Sequence, residues 1–215
     1  MREYEIIYRE EELPDLYGRL FDPEDEEFCQ ELNFAPIDSY VWDATYYRPE
    51  ARAYLTYDNN GLRVLMCAFE DTISAEVEDF NGEVYRDSCL EFFLKPFEDD
   101  PRYINIEVNP NGAALIGIDP DRFDRIRIEE EPEEMNIQSS RHKGGWWAIA
   151  YDLPKEMFMK LFGRIPVPGN TMRGNFYKCD ETIHPHFGTW APVMNFRPDF
   201  HLPEWFGELK LAARK

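Results

Sequence analysis

Apolar and polar residues alternate over short stretches of this chain. In residues 102–109, Ile104, Ile106 and Val108 share one parity, while Tyr103, Asn105, Glu107 and Asn109 share the other. Successive side chains of a strand point to opposite faces, so the isoleucine side is the core side and the polar side faces away from it. Residues 85–95 divide in the same way: Leu90, Phe92 and Leu94 against Tyr85, Asp87, Cys89, Glu91 and Phe93. Further aromatic and β-branched segments, at 51–58, 61–70, 113–119, 135–142, 145–151 and 172–179, predict strands at close spacing.

Turn signals separate these segments. Asp58-Asn59-Asn60-Gly61, Asn109-Pro110-Asn111-Gly112 and Lys143-Gly144-Gly145 supply the residues that tight hairpins require, and so predict antiparallel neighbours. A helix is predicted from Pro154 to Phe162, with Met157, Phe158, Leu161 and Phe162 on one side and Gly163 as its stop. One helix among many strands, with no repeat of fixed period, predicts an all-β, antiparallel β-sandwich. A length of 215 residues suits one domain of that class. The acidic stretches 22–27 and 129–134 each carry a proline and read as solvated loops.

Composition narrows the partners. Forty-three acidic against twenty-three basic residues give a net charge of −20, which repels nucleic-acid phosphates and anionic lipid heads. The 15% aromatic content exceeds what a disordered acidic chain carries. The N-terminus lacks a basic region followed by an apolar run, and no apolar stretch reaches membrane-spanning length, so a cytoplasmic protein is expected. Cys29, Cys67, Cys89 and Cys179 form no C-x-x-C pair and read as reduced, partly buried thiols.

Pairing of the two segments through the 96–101 loop would join their polar parities into one patch of Tyr, Asp, Glu and Asn. Such a patch suits a sugar, whose C–H faces stack on aromatic rings and whose vicinal hydroxyls pair with carboxylates and amides. An ordinary solvated sheet face presents the same parity. A glycosidase reading would use Glu91 and Glu107 as its carboxylates, since Asp87 and Glu91 on one strand lie about 13 Å apart.

At Tyr85-Arg86-Asp87-Ser88-Cys89-Leu90-Glu91-Phe92-Phe93-Leu94 the chain resembles the family 9 carbohydrate-binding modules, which carry an aromatic residue, then Asp-Ser-Val-Glu, then an apolar strand. Tyr103 to Gly112 resembles that family's next strand and turn. Asn175-Phe176-Tyr177-Lys178-Cys179, His186, Trp190-Ala191-Pro192 and the run from Phe200 to Gly207 resemble single-domain bacterial proteins described as family 9-like. The resemblance covers about residue 40 to the end. It leaves 1–40 as an N-terminal extension packing on a jelly-roll-like domain.

The resemblance implies a non-catalytic protein that clamps a terminal or reducing-end sugar of a mono- or oligosaccharide between two aromatics, with calcium bound structurally. By motif, Tyr85 stands at the first clamp position, where Trp is usual, Glu91 at that of the hydroxyl-binding acid, and Trp190 at that of the second aromatic. Asn105, Glu107 and Asn109 are the neighbouring polar candidates. Arg86 and Arg173 are candidates for the binding arginine, and His186 for a sugar-lining histidine. Asp43, Asp71 and Asp79, near predicted strand ends, are the candidate calcium ligands.

Other readings stay open for several of these. Trp190 sits in a loop-like setting where exposure and burial are both compatible with the sequence. Of the adjacent Trp146 and Trp147, one is expected in the core. His184 and His186 with Cys179 and Asp180 offer zinc-type ligands. A haem-type sandwich with His186 as axial ligand, or a ligand-free one, completes the set.

Overall fold

The computed structural model describes residues 1–10, 32–42, 45–123 and 125–213, and the acidic stretch 22–27, Cys29 and Asp43 lie outside them. Its strands are β1 (Glu3–Tyr8), β2 (Ala35–Pro36), β3 (Glu50–Tyr57), β4 (Gly61–Phe69), β5 (Cys89–Lys95), β6 (Tyr103–Val108), β7 (Ala114–Asp119), β8 (Ile126–Arg127), β9 (Gln138–His142), β10 (Trp146–Pro154), β11 (Thr171–Asp180), β12 (His186–Thr189) and β13 (Gly207–Leu211). The helix α1 (Lys155–Phe162) buries Met157, Phe158 and Phe162, and Gly163 closes it at φ 72°.

The expected hairpins form. β3 and β4 pair antiparallel across Asp58–Gly61, where the Asp58 carboxylate accepts the backbone N–H groups of Asn60 and Gly61. β6 and β7 pair across Gly112, and β9 and β10 across Gly145, glycines whose φ of 81° and 76° other residues adopt only with strain.

The strands form one curled sheet in the order β8-β7-β6-β5-β11-β13-β1-β3-β4-β10-β9, with β12 beside β11 and β2 beside β3. This corrects the expectation of a purely antiparallel sandwich. β1 runs parallel to β13 through Glu3–Ile6, then parallel to β3 through Ile7 and Tyr8. It thereby joins the two halves of the sheet, and residues 3–8 pair as a strand within it.

The main core draws on both halves of the sheet. Leu90, Phe92 and Leu94 of β5 and Ile104, Ile106 and Val108 of β6 meet Leu55, Val64, Met66, Trp147 and Ile149 from the other half. Phe92 stacks on Phe176 with centroids 4.7 Å apart. Trp147 is fully buried here, while its neighbour Trp146 points the other way and stacks on His142 at 3.6 Å. Among the described residues, no helix is long and apolar enough to cross a membrane.

Candidate functional site

The parity of β5 and β6 places Glu91 and Glu107 as register partners, side by side on the face turned from the core. That face is not the open, solvated surface expected from sequence. Asn105, Glu107 and Asn109 are all 2% exposed or less, because loops and the segment around Phe200 and Phe206 fold over it into a second apolar cluster with Phe93, Tyr103 and Tyr177.

A recess of about 410 Å³ remains between the sheet and these loops. Glu107, Glu91 and Cys179 form its floor on three adjacent strands, β6, β5 and β11 respectively. Tyr85, Phe123, Phe187 and Phe200 supply aromatic walls, and Arg122, Arg125, Asp199 and His201 converge on it from the loops after β7 and before β13. Phe123 is 92% exposed and stands at the rim.

The polar groups are coupled. Glu107 Oε1 accepts from Asn105 Nδ2 at 2.8 Å and from Arg125 at 3.0 Å. His201 Nδ1 lies 2.8 Å from the Tyr103 hydroxyl, and its Nε2 lies 3.4 Å from Arg125. Burial lowers the His201 pKa to about 3, with help from the positive charge of Arg125, so the imidazole is neutral at pH 7. Burial also pushes the Glu91 carboxyl well above its ordinary range, assisted by Cys179 and Glu107, while Glu107 is raised by burial against the opposing pull of Arg125. Asn105 Oδ1 and Arg125 Nε have no protein partner. Gly117 on β7 makes room for both: a Cβ there would lie 2.7 Å from Asn105 Oδ1 and 2.8 Å from Arg125 Nε.

Several candidates from the sequence lie elsewhere. Trp190 is 2% exposed in the main core against Phe176 and Tyr4, its ring over Gly207, because the chain turns inward directly after β12. Arg173 on β11 donates to the Phe206 carbonyl and does not line the recess. Tyr85 belongs to a short 3₁₀ turn (Val84–Arg86) before β5, so it reaches the recess from a loop and not by strand parity. Asp87 accepts from the Ser74 hydroxyl, the Glu76 and Val77 amides and Asn109 Nδ2, which fixes the 74–77 loop to the sheet. Asn109 serves that anchor.

His186 is placed on the opposite side of β11, inside the fold. Lys178 Nζ donates to Glu70 at 3.0 Å, to the Cys179 carbonyl at 2.7 Å and to His186 Nε2 at 3.0 Å, and Trp147 donates to the second Glu70 oxygen at 2.5 Å. His186 Nδ1–H donates to the His184 carbonyl at 2.6 Å. With both ring nitrogens used and 2% exposure, His186 has no nitrogen left for haem iron. Burial and the Lys178 charge lower its pKa to about 3.

The zinc-type grouping of His184 and His186 with Cys179 and Asp180 does not assemble. Among the described residues, the close group of possible metal ligands is Cys89, Glu91 and Cys179. Asp71 and Asp79 are exposed and are not part of that group.

Sequence reasoning missed Arg125 and His201. A signal existed for the first: residues 122–127 hold three arginines in a strongly acidic chain. His201 lay in the quoted Phe200 to Gly207 run without a role.

Fold and recess define the class first: a curled, all-β domain with a loop-walled polar recess on its outer face. The model of carbohydrate-binding family 9 matches residues 26–211, and the chain belongs to that family, one of non-catalytic binding modules. A Bacteroides uniformis protein proposed to bind carbohydrate is 26% identical, with a TM-score of 0.77 over 98% of this chain and 99% of that one. A family 9 module from Caldicellulosiruptor kristjanssonii has been solved with cellotriose (15% identity, TM-score 0.65, 100% of this chain and 95% of that one) and with glucose (14%, 0.65, 100% and 97%). No curated protein matches the chain.

Proposed function

We propose that the recess holds one end of a mono- or oligosaccharide without catalysing its reaction. The observation that carries this reading is the lining of the recess, which sets the Glu91 and Glu107 carboxyls, Arg125 and His201 among the rings of Tyr85, Phe123, Phe187 and Phe200. A polyhydroxyl ligand supplies both donors and acceptors, and so meets each of these groups at once. The volume of about 410 Å³ is within the range of small-ligand pockets, roughly 300–1,000 Å³.

The stacking partner opposite Tyr85 is drawn from Phe123 and Phe187, not from Trp190, whose indole is occupied in the core. Glu91 hydrogen-bonds one sugar hydroxyl from the recess floor, while Glu107, held by Asn105 and Arg125, orients the arginine toward a second one. The family membership and the sugar complexes of the Caldicellulosiruptor module support the ligand class.

Isothermal calorimetry against glucose, cello-oligosaccharides and a broader glycan panel tests the reading. A hit whose affinity falls in Glu107→Gln and Arg125→Ala supports it. No ligand across the panel, or one indifferent to both variants, ends it. Turnover of chromogenic glycosides that is lost in Glu91→Gln would replace binding with catalysis.

A further inference from the structure

Cys89 on β5 and Cys179 on β11 are register partners, so their thiols leave neighbouring strands on the same face. Glu91, two residues along β5, shares that face. Cys179 Sγ lies 3.1 Å from Glu91 Oε1, and one ligand atom from each of the three residues lies within 4.8 Å of the other two. Tetrahedral zinc, with bonds of about 2.3 Å to sulfur and about 2.0 Å to oxygen, holds its ligand atoms roughly 3.5–3.8 Å apart. The three side chains are therefore already near that spacing.

We propose that Cys89, Cys179 and Glu91 form a site for one thiophilic divalent cation of the zinc type, with its remaining coordination position facing the recess. Two thiolates and a carboxylate select a soft metal over calcium or magnesium, which take oxygen ligands. The site is rigid, because all three residues sit within paired strands and are 3% exposed or less. It is also reachable, because Cys179 and Glu91 line the recess. The ligands together carry one negative charge more than the cation. The proposal stands on this geometry and does not depend on the sugar reading.

Cobalt(II) titration of the reduced, chelator-treated protein gives the test, with zinc competition against a chromophoric chelator as a second measurement. One equivalent of cobalt is expected, with sulfur-to-cobalt charge-transfer absorption in the near ultraviolet and intense visible bands of tetrahedral coordination, all displaced by zinc. Cys89→Ser and Cys179→Ser each weaken binding by more than about tenfold, while Cys67→Ser, buried in a separate cluster, leaves it unchanged. Circular dichroism establishes that each variant is folded, and the wild-type zinc competition stands even if one is not. Absence of a thiolate band in the reduced wild-type protein, or binding that persists in the double serine variant, overturns the proposal. Sugar binding is measured separately on metal-free protein, so the two readings fail independently.

Discussion

The two faces of β5 and β11 carry two buried polar networks that differ in completeness. On the core side, Lys178 spends all three donors on Glu70, His186 and a backbone carbonyl, and Glu70 also accepts from Trp147. On the recess side, Glu107 is held by Asn105 and Arg125, yet Asn105 Oδ1 and Arg125 Nε find nothing in the protein. A closed network is a structural device, since a buried charge is tolerated only when fully paired. The second lies beside a recess lined by Glu107 and Arg125, where the proposed ligand would bind. Charge and burial alone do not separate the two; access from the recess does.

The largest break in the comparison comes from the closed side. Lys178→Met leaves Glu70 buried without its cation, and urea denaturation is expected to show a loss of about 3–5 kcal/mol. An equal loss from Arg125→Met would erase the distinction, because Glu107 lines the recess, which water can enter, and Glu70 does not line it.

Each network holds one histidine with a pKa lowered to about 3, His186 and His201. In the unfolded chain both titrate near 6.5. Between these values the unfolded state binds more protons, so stability rises with pH across that window and is complete above it. Each histidine adds at most about 1.4 kcal/mol per pH unit. Glu91 and Glu107, raised in the folded state, act in the opposite sense: their contribution is full at low pH and declines as pH rises above the ordinary carboxylate value of 4.5. Denaturation midpoints from pH 3.5 to 6.5 are expected to rise with pH less steeply in His201→Gln than in the parent. An unchanged slope would mean that His201 is protonated in the fold.

Much of this was legible in the chain. The period-two alternation of 102–109 and 85–95 placed Glu91 beside Glu107, and the Asn-Gly turns placed the hairpins, because both are local properties. What the pattern could not carry was long-range. Nothing in Tyr4-Glu5-Ile6-Ile7 announces a strand that runs parallel to two partners, since it pairs Glu3 with the distant Glu208 and Ile7 with Thr56. Nor does parity reveal which loops return to cover a face, so Asn105 and Asn109 were expected near solvent and are buried. Trp190 was undecidable for the same reason: the cavity over Gly207 that receives it is made by a distant strand.

On the open side, Arg125→Ala is expected to cost at least about tenfold in sugar affinity, or about 1.4 kcal/mol, with a stability change smaller than that of Lys178→Met. Gly117→Ala is expected to weaken binding as well, since the added methyl would lie 2.8 Å from Arg125 Nε and 2.7 Å from Asn105 Oδ1 and so displace both.

The finest distinction concerns Tyr85, whose hydroxyl donates to Glu83 at 3.0 Å on the exposed side of the turn. A ring that stacks on a sugar works through its face, so Tyr85→Phe keeps both affinity and stability within about 0.5 kcal/mol, whereas Tyr85→Ala loses the stacking and most of the affinity. If Phe weakens binding as much as Ala does, the hydroxyl is the contact. Tyr85 would then belong with the hydrogen-bonding groups of the recess, and its aromatic wall would rest on Phe123, Phe187 and Phe200.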